Sequence, residues 1–126
     1  MCALYSFPLR RIRRLPQLNS DYEKRDFNIT FLNSDYNFYG KSYKENGKVY
    51  INGNFHCISP SIGIKTCAFI PEGFRPTIST GSAAYTDDDV NFNNIGGIKI
   101  DITGDITLYF PTKYSTRLYV SIVYDC

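Results

Sequence analysis

The stretch 97–110, G-I-K-I-D-I-T-G-D-I-T-L-Y-F, decides how the chain is read. Ile98, Ile100, Ile102, Ile106, Leu108 and Phe110 fall on even positions, and Lys99, Asp101, Thr103, Asp105, Thr107 and Tyr109 on odd ones. A period of two marks strands with one buried and one wet face. The apolar parity does not switch across the turn, so paired positions must have an even sum and the loop an odd number of residues. A two-residue turn would set Ile102 against Thr107 and split the apolar face. A three-residue loop ending in Gly104, with that glycine at the left-handed bulge position, instead pairs Ile100 with Ile106 and Ile98 with Leu108.

The remainder of the chain is consistent with an all-β domain. Its 126 residues suffice to bury one core, and eleven Tyr and nine Phe without Trp favour strands over helices. Asn46-Gly47 between two alternating runs is a two-residue hairpin signal, because both residues tolerate positive φ. It pairs Phe38 with Phe55 and Ser42 with Ile51 on one face, read as core, and Tyr43 with Tyr50 and Asn37 with His56 on the other. Gly40 then faces Gly53, leaving a bare patch where the sheet bends or a side chain from another layer rests, rather than a ligand notch. Pro71-Glu72-Gly73 reads as a turn with proline at its first corner and glycine where φ must be positive. Arg75, between that turn and Pro76, suits a structural hydrogen bond to backbone carbonyls. A small-residue strand over 77–85 and a closing strand in which Leu118, Val120, Ile122 and Tyr124 alternate with Arg117, Tyr119, Ser121 and Val123 complete the pattern.

Charge and cysteine content narrow the function classes. The net charge is +2, and four of the fourteen basic residues, Arg10, Arg11, Arg13 and Arg14, crowd near the N-terminus; the ten that remain face twelve acidic residues, so nothing beyond that cluster resembles a nucleic-acid footprint. Residues 1–20 are read as a basic arm draped on the domain or on a neighbouring subunit, with nucleic-acid or membrane-surface binding as the alternative. No apolar run fits a secretory signal or a transmembrane helix. Without such a signal the Asn28-Ile29-Thr30 sequon is read as chance. Cys2, Cys57, Cys67 and Cys126 are scattered; free thiols are expected, with a Cys57–Cys67 bridge as the alternative in an oxidising compartment. No metal or other cofactor is expected. There is no C-x-x-C pair, the single histidine stands beside Cys57, and Asp87-Asp88-Asp89 lacks the spaced oxygen ligands of a calcium loop. Catalysis is not expected either. There is no nucleophile elbow, metalloprotease helix or phosphate loop, and Asp101 and Asp105 or the three loop aspartates are not thereby a glycosidase pair.

The order of N-G-K-V-Y-I-N-G-N-F, an apolar segment running into I-P-E-G-F-R-P over 70–76, a small polar strand, an I-x-I-x-x-x-G-x-I hairpin and an aromatic-rich last strand resembles the C-terminal head of bacteriophage tail-fibre and baseplate receptor-binding proteins. The likeness covers about residues 46–124. It implies an antiparallel β-sandwich of jelly-roll type over 21–126 and non-catalytic recognition of a host-surface polysaccharide or protein. It further implies a homotrimer that contacts other tail or baseplate subunits, without nucleic acid or membrane insertion, in a virion tail tip assembled in the host cytoplasm. The family carries an anchoring shoulder and neck ahead of its head, where this sequence has only the basic arm. A structural baseplate or fibre-tip subunit and a bacterial carbohydrate-binding module are the alternatives.

Sugar recognition needs flat aromatic faces and fixed hydrogen-bonding groups. Tyr85, Asp87, Asp88, Asp89, Asn91, Asn93 and Asn94 gather both in one loop region and form the candidate site, with His56 and Tyr50 as second choices. A polar loop without a ligand is the competing reading. The outward tyrosine face around Tyr43 and Tyr50 is the fallback surface.

Overall fold

The computed structural model describes residues 23–58, 63–87, 95–112 and 115–126. These hold nine strands: β1 (Arg25–Asp26), β2 (Thr30–Phe31), β3 (Tyr36–Glu45), β4 (Lys48–Cys57), β5 (Gly63–Phe69), β6 (Thr80–Thr86), β7 (Ile95–Ile100), β8 (Asp105–Phe110) and β9 (Arg117–Asp125). Every pairing is antiparallel, and the strands join one sheet in the order β1-β3-β4-β9-β6-β7-β8-β5-β2. The all-β antiparallel expectation holds, and no helix occurs among the described residues.

Both hairpins have the expected register. Phe38 pairs with Phe55, Gly40 with Gly53 and Tyr43 with Tyr50, around an Asn46-Gly47 turn in which both residues have positive φ, 55° and 74°. Ile100 pairs with Ile106 and Ile98 with Leu108; Gly104, at φ 91°, closes the loop by donating its amide to the Asp101 carbonyl. Ile102 departs from the parity pattern. It sits at the loop tip, past the last ladder pair, and is 57% exposed. The Gly40–Gly53 pair also differs from a vacant patch: a Cβ on Gly40 would lie 2.1 Å from the Asn52 carbonyl oxygen, so the missing side chains let two backbones approach closely. The sixth strand begins at Thr80, three residues later than the sequence reading placed it.

The sheet is strongly curled. Six inter-strand steps separate β4 from β2, about 29 Å in a flat sheet, yet Phe31 of β2 meets Phe55 of β4 with ring centroids 6.3 Å apart. The concave face is thus folded onto itself, and Val49, Ile51 and Phe55 of β4, Leu118 of β9, and Ile98, Ile100, Ile106 and Leu108 of β7 and β8 share one buried cluster. Closure is helped by a bulge in β5. Thr66 pairs with Thr107 and Ala68 with Ile106, so Cys67 is an extra residue between them, and it is buried beside Ala68.

Two ties hold the I-P-E-G-F-R-P stretch on this frame. The Pro71 carbonyl accepts from the Phe74 amide with Gly73 at φ 92°, so Glu72 and Gly73 form the corners and proline stands just before the first corner; the expected corner for proline is thus shifted by one residue. Arg75 Nε donates to the Ile70 carbonyl at 2.9 Å, the structural role expected of it. Cys57, Cys67 and Cys126 are free thiols, so the Cys57–Cys67 bridge is not formed.

Candidate functional site

Strand alternation sends one set of side chains from β3, β4, β9 and β6 to the convex face. Register then lines them up across the sheet. Tyr39 pairs with Asn54, Asn54 with Tyr119, and Tyr119 with Tyr85, forming one transverse row. Three inter-strand steps make the row about 14 Å wide. Tyr39, Tyr119 and Tyr85 remain 49%, 45% and 56% exposed, which an aromatic in a core would not be.

The adjoining row supplies fixed polar groups. It runs from Asn37 through His56 to Arg117. Arg117 Nη1 donates to Asn54 Oδ1 at 2.8 Å, and its guanidinium lies 5.4 Å from the centre of the Tyr39 ring. The His56 ring is 6.2 Å from that of Tyr39, and Asn37 Nδ2 donates to the Tyr39 hydroxyl at 3.2 Å. Asn52 and Ser121 are joined by a 3.0 Å hydrogen bond on the other side of the tyrosine row. Tyr39 is thereby held by neighbours rather than left as an independent rotor, which lowers the ordering cost of a contact made on it.

Of the residues expected from sequence, Tyr85 and His56 belong to this face. Asp87 has a different position. One of its carboxylate oxygens accepts the Thr116 amide at 2.9 Å and the Arg117 amide at 3.2 Å, and the other accepts the Thr116 hydroxyl. Burial pushes this carboxyl up, but those hydrogen bonds outweigh it and hold the group below the ordinary aspartate range. Asp87 ties the end of β6 to the start of β9 and so positions Arg117. Tyr50 also faces outward, four residues along β4 from Asn54, about 13 Å away, where it stacks on Tyr43 at 4.9 Å. Asp88, Asp89, Asn91, Asn93 and Asn94 lie outside the described residues, as do Val90 and Phe92.

Tyr39, Tyr119 and Arg117 were absent from the sequence-based site. Alternation alone turns each outward, but the β4–β9 and β6–β9 pairings that bring them together join segments far apart in the chain. Among the described residues no three His, Cys, Asp or Glu side chains form a cluster able to hold a metal ion. The arrangement can offer aromatic faces, amides, an imidazole and one guanidinium to a ligand lying on the sheet. Compared with protein-family models the chain matches none, and no curated protein is significantly similar to it.

Proposed function

We propose that the protein is a non-catalytic adhesion domain that binds a saccharide on the convex face of β3, β4, β9 and β6. The observation that carries this reading is the exposed row Tyr39–Asn54–Tyr119–Tyr85, with Arg117 bonded to Asn54 in the middle of it. Apolar sugar faces stack on tyrosine rings, and ring hydroxyls take up amide and guanidinium hydrogen bonds. A row about 14 Å wide accommodates more than one linked sugar ring.

The resemblance to tail-fibre heads supplies the biological setting: attachment of a phage tail tip to a host-surface polysaccharide, by a homotrimer held among other tail subunits. Trimerisation would set three such faces around one axis, so that a weak single site gains avidity. We read the curled sheet as a jelly-roll-like sandwich in this setting, since the β3-β4-β9 half faces the β5-β8-β7 half across one core. Glycan-array binding by the purified chain tests the function. Selective retention of particular glycans, lost in a Tyr119→Ala variant that stays folded, is the expected result. Equal retention by parent and variant would remove the tyrosine row from the function.

A further inference from the structure

The curled sheet leaves an open seam where its two edges approach each other. On one side is β3, whose second partner, β1, covers only Tyr43 and Lys44. Phe27 extends that cover by one residue, donating its amide to the Ser42 carbonyl at 3.1 Å and accepting from the Ser42 hydroxyl at 2.6 Å. Along residues 37–41 the outer backbone edge of β3 has no strand partner among the described residues. The other side is formed by Asn28, Ile29 and β2, whose one strand partner among the described residues is β5.

Between these walls is a cleft of about 490 Å³. Phe38 from one wall and Phe31 from the other both touch the Phe55 ring, at 4.9 and 6.3 Å between centroids. The two rings thus floor the cleft between the walls. Asn37, Tyr39, Gly40 and Lys41 on this edge are exposed.

We propose that this seam is a docking site for an extended peptide of a partner protein, with apolar side chains at alternate positions and acidic ones between them. The peptide adds a strand against residues 37–41 and presents its other edge to Asn28 and Ile29, so that main-chain hydrogen bonds supply the affinity. Its apolar side chains point down to Phe31 and Phe38, which line the cleft. Charge selects the acidic residues: Lys24 and Lys41 line the cleft against one carboxylate, Asp26, and Lys41 makes no ion pair among the described residues. A second copy is disfavoured as occupant, because a two-fold antiparallel pairing of two β3 edges centred on Tyr39 sets Lys41 opposite Asn37 and supplies no carboxylate to it.

The test is a titration of the nitrogen-labelled full chain with the peptide Ac-Thr-Val-Glu-Val-Thr-Val-Glu-NH2, followed by NMR and amide exchange. Saturable shifts are expected at residues 28–31 and 37–41, with slowed exchange of alternate amides in the latter. The same peptide N-methylated at alternate backbone nitrogens should bind at least about tenfold more weakly, since several hydrogen bonds are lost at once. Lys41→Glu, an exposed change that leaves the fold intact by circular dichroism, should weaken binding about fivefold or more, and a lysine-for-glutamate peptide should restore it. The proposal is overturned by unperturbed spectra or by equal binding of the N-methylated peptide. It is also overturned by slow exchange, in the free protein, of those amides of 37–41 that point away from β4, which would mean an edge already covered: by this chain if independent of concentration, by a second copy if not.

Discussion

Gly104 lies directly against Arg75: a Cβ at position 104 would come within 2.6 Å of the guanidinium Nε and equally close to the Ile70 carbonyl oxygen. The contact is one corner of a small lock. The Gly104 carbonyl accepts the Ile70 amide at 2.8 Å, and the Ile70 carbonyl accepts Arg75 Nε at 2.9 Å. The β7–β8 loop and the I-P-E-G-F-R-P stretch therefore hold each other in place. The glycine is required twice over, by its φ of 91° and by the space. Gly104→Ala is expected to cost about 1–3 kcal/mol or more from backbone strain alone, measured by urea unfolding. A fully stable variant would show that this lock carries no weight.

Arg75→Ala leaves the partly buried Ile70 carbonyl without its guanidinium donor and should cost about 1–3 kcal/mol. Charge alone should not repair it. Arg75→Lys, which has no Nε donor in that position, is expected to recover less than half of the loss in the same unfolding assay.

Ile106 is fully buried and pairs with Ile100 under the concave face. Ile106→Ala should cost about 2–5 kcal/mol, the transfer loss plus the cavity left behind. A cost well below that range would mean that the curled sheet collapses readily around the vacancy.

Local pattern made both hairpins legible, because alternation and turn chemistry act within about twenty residues of chain. Gly104 and the Asn46-Gly47 pair carried nearly all of that information. What local pattern could not carry was the placement of β9 between β4 and β6, since any alternating strand satisfies the same parity rule. The convex tyrosine row was hidden for the same reason. Tyr85 and His56 were visible as polar or aromatic residues near a loop, but Tyr39 and Tyr119 become their neighbours only through those long-range pairings. The tie from Asp87 to β9 was not legible because its partners, Thr116 and Arg117, are about thirty residues away. Cys67 broke the alternation of β5 because it occupies a bulge, which composition does not announce.

Asp87 gives the fold an acid-sensitive fastening. Its folded carboxyl is held below the usual aspartate range while the unfolded one titrates normally, so its contribution is present above the unfolded value, about 3.9, and is lost as pH falls through the folded value. Acidification below about pH 4 should therefore loosen the start of β9, seen as faster amide exchange at Thr116 and Arg117. Asp87→Asn should show this loosening at neutral pH and have little further acid response. An acid response unchanged in that variant would assign it to other carboxylates.

Burial pushes the Cys67 thiol up to about 12, and Cys57 beside it acts in the same direction. Almost no thiolate exists there near pH 8, and the thiolate is the reactive form. Cys57 and Cys67, both buried, should resist iodoacetamide in the folded protein and react on unfolding in urea, whereas the half-buried Cys126 should label without it. Mass spectrometry of the labelled peptides reads the difference. Rapid labelling of Cys67 in native buffer would mean that the β5 bulge opens far more often than its burial implies.

The tyrosine row is testable one residue at a time. Tyr39, Tyr119 and Tyr85 each present an exposed ring on paired strands, so truncation removes contact surface without opening the core. Each Tyr→Ala change should weaken saccharide or host-cell binding roughly two- to tenfold, the range for loss of one aromatic contact, while moving Tm little. Tyr119 should matter most, since it stands between Asn54 and Tyr85 in the row. Tyr50→Ala serves as the contrast. Its ring is engaged with Tyr43 about 13 Å along the strand, so it should cost some stability through the lost stack and little binding. The opposite ranking, with Tyr50→Ala abolishing adhesion and Tyr119→Ala leaving it intact, would move the binding surface to the Tyr43–Tyr50 end of the hairpin. Parent-like binding by all four variants would remove the convex face from consideration altogether.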